Sequence, residues 1–302
     1  MPRSTTQVPA RAQTSETSTP PHKARCTKAT SKGAVNHSME RDPTMKTIII
    51  TINEREALRM RWQVALDEVS AGYAGRPVLR RLSAHIPAFA TTALVGPNGS
   101  GKSTLLGVIA GVIPVAAGEV AHRTDGRPAF VVQRSRVADV LPLTVRDAVA
   151  MGRWARRGPW RRLSRSDRRV VETSMERLGI ADLAGRQLGE VSGGQRQRAL
   201  VAQGLAQEAE LLLLDEPTTG LDMAARQLIT DVLAEAVADG VTVVQATHDL
   251  DAAREAECVL LLQEGRLVAS GAPATVLTGD TVERIWHSPR PAGTFVPAER
   301  PV

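Results

Sequence analysis

The chain has 302 residues, 42% hydrophobic but only 3% aromatic, enough apolar content for one large α/β domain with an aliphatic core and too much for wholesale disorder. Its net charge of +6 is uneven: residues 1–59 hold ten Lys/Arg against five Asp/Glu, while residues 60–302 hold twenty-eight against twenty-seven. A body so close to neutral argues against a nucleic-acid-binding face, and no apolar run of about 18 residues exists to cross a membrane.

Residues 1–44 are rich in Ser, Thr, Pro, Lys and Arg and show no hydrophobic period. This composition predicts an irregular N-terminal extension over 1–59, with Ile48–Ile52 as a short strand. The segment lacks the apolar stretch of a secretory signal. An organelle transit peptide, a dispensable tail and a true start at Met45 or Met60 are three readings of it. Cys26 and Cys258 are the only cysteines and form no disulfide framework, which points to a reducing cytosol.

From residue 63, short β-prone runs alternate with helical ones, the signature of a parallel sheet wrapped by helices. Strands are expected at Thr92–Val95, Phe130–Gln133, Leu211–Asp215, Val241–Ala246 and Val259–Gln263, and a helix at Lys102–Ala110. Between Gln133 and Leu211 helices take over, at about Val145–Met151, Asp167–Leu178 and Gln195–Gln207, as in a helical subdomain inserted into an α/β core. From Pro289 onward the chain reads as a loose tail.

Gly96-Pro97-Asn98-Gly99-Ser100-Gly101-Lys102-Ser103-Thr104 contains the G-x-x-x-x-G-K-[ST] phosphate loop, with the required strand before it and helix after it. Its glycines let backbone N–H groups converge on phosphate oxygens, and the helix N-terminus adds partial positive charge. Lys102 would reach the β- and γ-phosphates, and Ser103 would ligate Mg²⁺. The loop predicts a nucleoside triphosphate site. Leu211-Leu212-Leu213-Leu214-Asp215-Glu216 is a buried strand ending in two carboxylates. Asp215 would hold the Mg²⁺ shell, and Glu216 would act as general base towards water.

A second small-residue turn, Val191-Ser192-Gly193-Gly194-Gln195, opens another helix, and a single triphosphate site has no use for it. With this turn the chain resembles, over residues 63–285, the nucleotide-binding subunit of an ATP-binding-cassette (ABC) transporter. The resemblance implies a phosphate-loop cassette in α/β class, with a mostly parallel sheet core, an antiparallel β subdomain and an inserted helical subdomain. It implies an ABC ATPase domain over 60–288, the helical subdomain at about 138–205, and tails at 1–59 and 289–302. By that resemblance Ser192, Gly193, Gly194 and Gln195 cap the γ-phosphate held by an opposite subunit. Tyr73 matches the aromatic that stacks on adenine. Gln133 matches the glutamine that touches Mg²⁺ and the lytic water, Gly220-Leu221-Asp222 the loop between sites, and His248 the histidine at the γ-phosphate. ATP and Mg²⁺ are the implied cofactors.

One cassette and the spacing between Lys102 and Ser192 leave no room for the paired cassettes or coiled coils of soluble relatives, except a soluble iron–sulfur-assembly ATPase. The short stretch after His248 is too short for the regulatory domain of sugar and peptide importers. Val131-Val132-Gln133-Arg134-Ser135, Leu141–Asp147, Val149–Arg153, Thr219–Asp222 and Ala246–Leu250 resemble the zinc/manganese metal-ion subfamily. The implied system is an ATP-bound homodimer on the inner face of the cell membrane, cytoplasmic and peripheral. Multi-span permease subunits and an extracellular or periplasmic metal-binding protein complete it. A siderophore, haem or cobalamin importer, an exporter and the iron–sulfur ATPase stay open as alternatives. The six histidines and two cysteines form no ligand-spaced cluster, so the cargo metal is not expected to bind this chain. Met151–Arg169 carries eight arginines interleaved with Trp154 and Trp160, which reads as a solvated loop or a membrane-proximal contact.

Overall fold

The computed structural model describes residues 62–133 and 142–286. The expected extension over 1–59, its strand at Ile48–Ile52 and the tail from 289 lie outside the described residues. The described residues open on a hairpin, β1 (Trp62–Tyr73) and β2 (Arg76–Pro87), then β3 (Thr91–Val95), α1 (Lys102–Ile109), β4 (Ala117–His122) and β5 (Ala129–Val131). A helical stretch follows: α2 (Val145–Ala150), α3 (Trp154–Arg157), α4 (Arg165–Arg177) and α5 (Gly193–Ala206). The rest is β6 (Leu211–Asp215), α6 (Met223–Ala238), β7 (Thr242–Thr247), α7 (Leu250–Arg254), β8 (Cys258–Gln263) and β9 (Arg266–Gly271). Two helices close the described chain, α8 (Pro273–Val276) and α9 (Gly279–Trp286).

The main sheet has the order β5-β6-β7-β3-β8-β9. Every neighbouring pair is parallel except β8 and β9. Central strands read as unbroken apolar runs because both faces are covered; all five residues of β6 are buried. Leu94, Leu213, Val244 and Leu260 face α1 and the antiparallel sheet β2-β1-β4. Leu212, Leu214 and Val243 face a core shared with α2, α4, α5 and α6. Each fully buried leucine contributes about 2 kcal/mol over an exposed one.

Several boundaries differ from the sequence expectation for local reasons. β5 ends at Val131 rather than Gln133: it is the sheet's edge strand, paired only with β6, and the chain leaves the ladder early. α4 starts at Arg165 because Ser164 caps it, with Asp167 closing a capping box. α5 starts at Gly193 for the same reason, with Ser192 and Gln195 as the box. α6 was not anticipated; Asp222 caps it, and Ile229, Val232, Leu233 and Ala236 form its buried stripe.

Small residues and one ion cluster hold the helical stretch together, and Gly204 seats it on the sheet. A Cβ on Gly204 would lie 2.5 Å from Val131 Cγ2, so only glycine lets α5 press this closely on β5. Gly152 meets the Gln203 carbonyl of α5 at a separation that no side chain would fit. Arg153 and Asp167, 5% and 1% exposed, pair at 3.0 Å. Arg153 also donates to the Ala206 carbonyl at 2.7 Å and to Glu208 at 2.7 Å.

Candidate nucleotide site

Parallel strands place their C-terminal ends along one edge, which is where ligands bind in open α/β sheets. Four such ends meet here. Val95 of β3 pairs with Thr247 of β7, Asp215 of β6 with Ala246 of β7, and Val131 of β5 with Leu214 of β6. The residues just beyond these ends are the phosphate loop, His248, Glu216 and Gln133. They line one cavity of about 910 Å³, together with Val78 and Thr219.

The loop before α1 is built from positive-φ glycines: Gly96 at 154°, Gly99 at 83° and Gly101 at 104°. A Cβ on Gly96 would strike the Leu262 carbonyl and come within 2.8 Å of Ser100 Oγ, so the backbone itself forms the wall. The first turn of α1 presents N–H groups of Lys102, Ser103 and Thr104 that have no partner inside the helix. Lys102 is 6% exposed, and its ammonium donates to the carbonyls of Gly96 at 2.7 Å and Pro97 at 3.1 Å. Burial pushes its pKa below the ordinary lysine value, while Glu216 and Asp215 pull it back up.

Opposite the loop, Glu216 is the centre of a small cluster. Its Oε2 accepts from Gln133 Nε2 at 3.0 Å and from Thr219 Oγ1 at 3.2 Å. Its Oε1 lies 3.5 Å from His248 Nδ1. Asp215, one residue earlier, is 1% exposed at the end of β6. The arrangement sets a carboxylate, an amide and an imidazole across from a phosphate cradle. Mg²⁺ prefers hard oxygens, and the cavity wall offers the Ser103 hydroxyl and the Gln133 amide oxygen left over when Nε2 binds Glu216, with the Asp215 carboxylate buried next to Glu216.

The family described as "ABC transporter" matches residues 79–219. The zinc transport system ATP-binding protein TroB of Treponema pallidum is 36% identical, over 74% of this chain and 87% of its own. The manganese transport system ATP-binding protein MntB of Bacillus subtilis is 35% identical, over 74% of this chain and 92% of its own. The chain belongs to the ABC transporter ATP-binding family. Among solved structures, it resembles a dimeric ATP-binding cassette in a post-hydrolysis state bound to ADP and Pi, with TM-score 0.62 and 25% identity. That match covers 70% of this chain and 98% of the other.

In this ABC ATPase the structure brings Gly96–Gly99, Gly101–Thr104, Gln133, Glu216 and His248 to one cavity wall, while Asp215 stays beneath it. Ser100 is buried in the same loop. Ser192, Gly193, Gly194 and Gln195 line no part of the cavity and instead open α5, with Ser192 Oγ accepting from the Gln195 backbone at 3.2 Å. Tyr73 stands at the end of β1, 51% exposed, and does not line the cavity either; Val78 of β2 does. Thr219 was not singled out as a site residue. Its signal is its place three residues after Glu216, where the turn brings its hydroxyl back onto the carboxylate.

Proposed function

We propose that this ABC ATPase is the hydrolytic subunit of an importer that carries a divalent metal ion, zinc in the first place and manganese in the second, across the cytoplasmic membrane. The observation that carries the hydrolytic part is Glu216 at the end of β6, held by Gln133 and Thr219 and facing the phosphate loop across one cavity. Likeness to zinc and manganese transport subunits over almost the whole of their lengths supports the cargo.

In this reading Lys102 and the backbone of Gly96–Thr104 hold the β- and γ-phosphates of ATP, and Tyr73 meets the adenine from the loop side. Mg²⁺ held by Ser103, Gln133 and Asp215 would neutralise phosphate charge. Glu216 takes the proton of the attacking water, Gln133 fixes the carboxylate that does so, and His248 donates towards the γ-phosphate. Two copies of the chain meet head to tail, and the turn Ser192–Gln195 of each caps the nucleotide of the other. Residues 60–288 form the ATPase domain and about 138–205 its helical subdomain, flanked by tails at 1–59 and 289–302. The subunit works from the inner membrane face with multi-span permease subunits and an extracellular or periplasmic metal-binding protein.

The test is metal uptake in a deletion strain. Cell zinc should fall and growth under chelation should slow, with rescue by added zinc and by the wild-type gene but not by Glu216→Gln. A siderophore- or haem-uptake defect at normal zinc would replace the cargo. Metal overload would make the system an exporter. Purification with a soluble assembly complex would favour the iron–sulfur ATPase.

A further inference from the structure

The eight arginines of Met151–Arg169 fall into two sets. Three are paired, Arg153 buried and Arg156 and Arg157 exposed: Arg153 with Asp167 and Glu208, Arg156 with Glu208 at 3.1 Å, Arg157 with Asp167 at 2.9 Å. Arg161, Arg162, Arg165, Arg168 and Arg169 are exposed. Among the described residues none of these five has a carboxylate within ion-pair distance. The paired set ties α3 to the start of α4 and to Glu208, and the other five are left as exposed positive charge.

The tip of that loop carries Trp160, 95% exposed, directly before Arg161 and Arg162, with Trp154 41% exposed at the start of α3. A bare indole beside guanidinium groups is costly in water and suited to the boundary between headgroups and acyl chains, where Trp concentrates. No residue of Trp154–Leu163 lines any of the three described cavities, although Arg169 of α4 lines the one of about 540 Å³. A flat anionic layer needs no cavity. No described helix is long and apolar enough to cross a membrane.

We propose that the loop Gly158–Leu163 and the first turns of α4 form a contact site for anionic phospholipid headgroups, with Trp160 inserted at the interface and Arg161, Arg162 and Arg165 on the lipid phosphates. The contact is independent of the cargo and of the catalytic residues, and it orients the helical subdomain towards the membrane.

The experiment is vesicle co-sedimentation of the full chain. The probes are phosphatidylcholine vesicles with and without phosphatidylglycerol, read alongside Trp fluorescence and ATPase rate. Wild type should bind only the anionic vesicles, with a blue-shifted emission, and should be released as salt shortens the screening length. Each arginine near an anionic surface is worth roughly five-fold in affinity, so Arg161→Ala with Arg162→Ala should weaken binding by about 25-fold. Trp160→Phe should lose the blue shift, and all these variants should keep the wild-type ATPase rate. Two results overturn the proposal. Binding that survives the double variant but vanishes on removal of residues 1–59 assigns the membrane to the basic extension. Wild-type vesicle binding by the double variant, with loss of permease association, assigns the patch to a protein partner.

Discussion

Glu216 sits at φ 52°, in the left-handed region that side chains other than glycine seldom occupy. It is kept there because β6 is buried on both faces and its N–H still reaches the Ala246 carbonyl at 3.0 Å. The turn that follows brings Thr219 back, so the carboxylate is oriented by two neutral donors before any substrate arrives. Glu216→Gln should therefore slow ATP hydrolysis by about 10²–10⁴-fold while nucleotide binding persists, measured by steady-state turnover and by nucleotide titration. Turnover near the wild-type rate would remove Glu216 from the role of base. Asp215 and Glu216 stand out in the sequence because four leucines end in two carboxylates downstream of a phosphate loop; without that loop the pair would be ordinary strand-end residues. Thr219 does not, since a turn threonine has many local uses that leave the same trace. Tyr73, an aromatic matched by position, stands outside the cavity that the phosphate loop and Glu216 line.

At the scale of elements, the helical stretch depends on Asp167. It closes the α4 capping box on Ser164 and pairs with Arg153 and Arg157. The Ser164 hydroxyl and backbone hold its carboxyl well below the usual carboxylate range, with Arg153 and Arg157 adding to the effect and burial opposing it. A depressed folded-state pKa stabilises above the unfolded value and is lost as pH falls through the folded one. Asp167→Asn should accordingly melt lower than wild type at pH 7, and the gap should close as pH drops below about 4. A gap independent of pH in thermal melts would show that the carboxylate's charge is not what matters. The capping boxes at Ser164 and Ser192 were written in the sequence, but expectation placed both helix starts two residues late. α6 was missed because its long alanine-rich surface dilutes a four-residue buried stripe.

The molecule as a whole divides its burden between two sheets. The parallel one could be read strand by strand, because a strand covered on both faces is a plain apolar run. The antiparallel sheet could be anticipated only through family likeness. In β1 and β2 the in-out alternation slips at register shifts, where Glu68 and Arg81 both take φ 47°, and a one-residue slip inverts the pattern. The turn Ser192–Gln195 lines no part of this chain's own cavity, and in the proposed head-to-tail pair it meets the nucleotide of a second copy. ATP-loaded Glu216→Gln should sediment or scatter light as a dimer and return to monomer on nucleotide removal. A strict monomer under saturating ATP would break the head-to-tail reading.

Lys102 is the only lysine beyond residue 59, and it is folded into the floor of the phosphate loop. A protease that cuts only after lysine thus finds one scissile bond in the entire body, and it is shielded. With the extension trimmed away, two fragments can appear only when that loop opens. Their rate of appearance becomes a clock for the breathing of the nucleotide site, one that bound ATP should slow and that loosening elsewhere in the molecule should leave untouched.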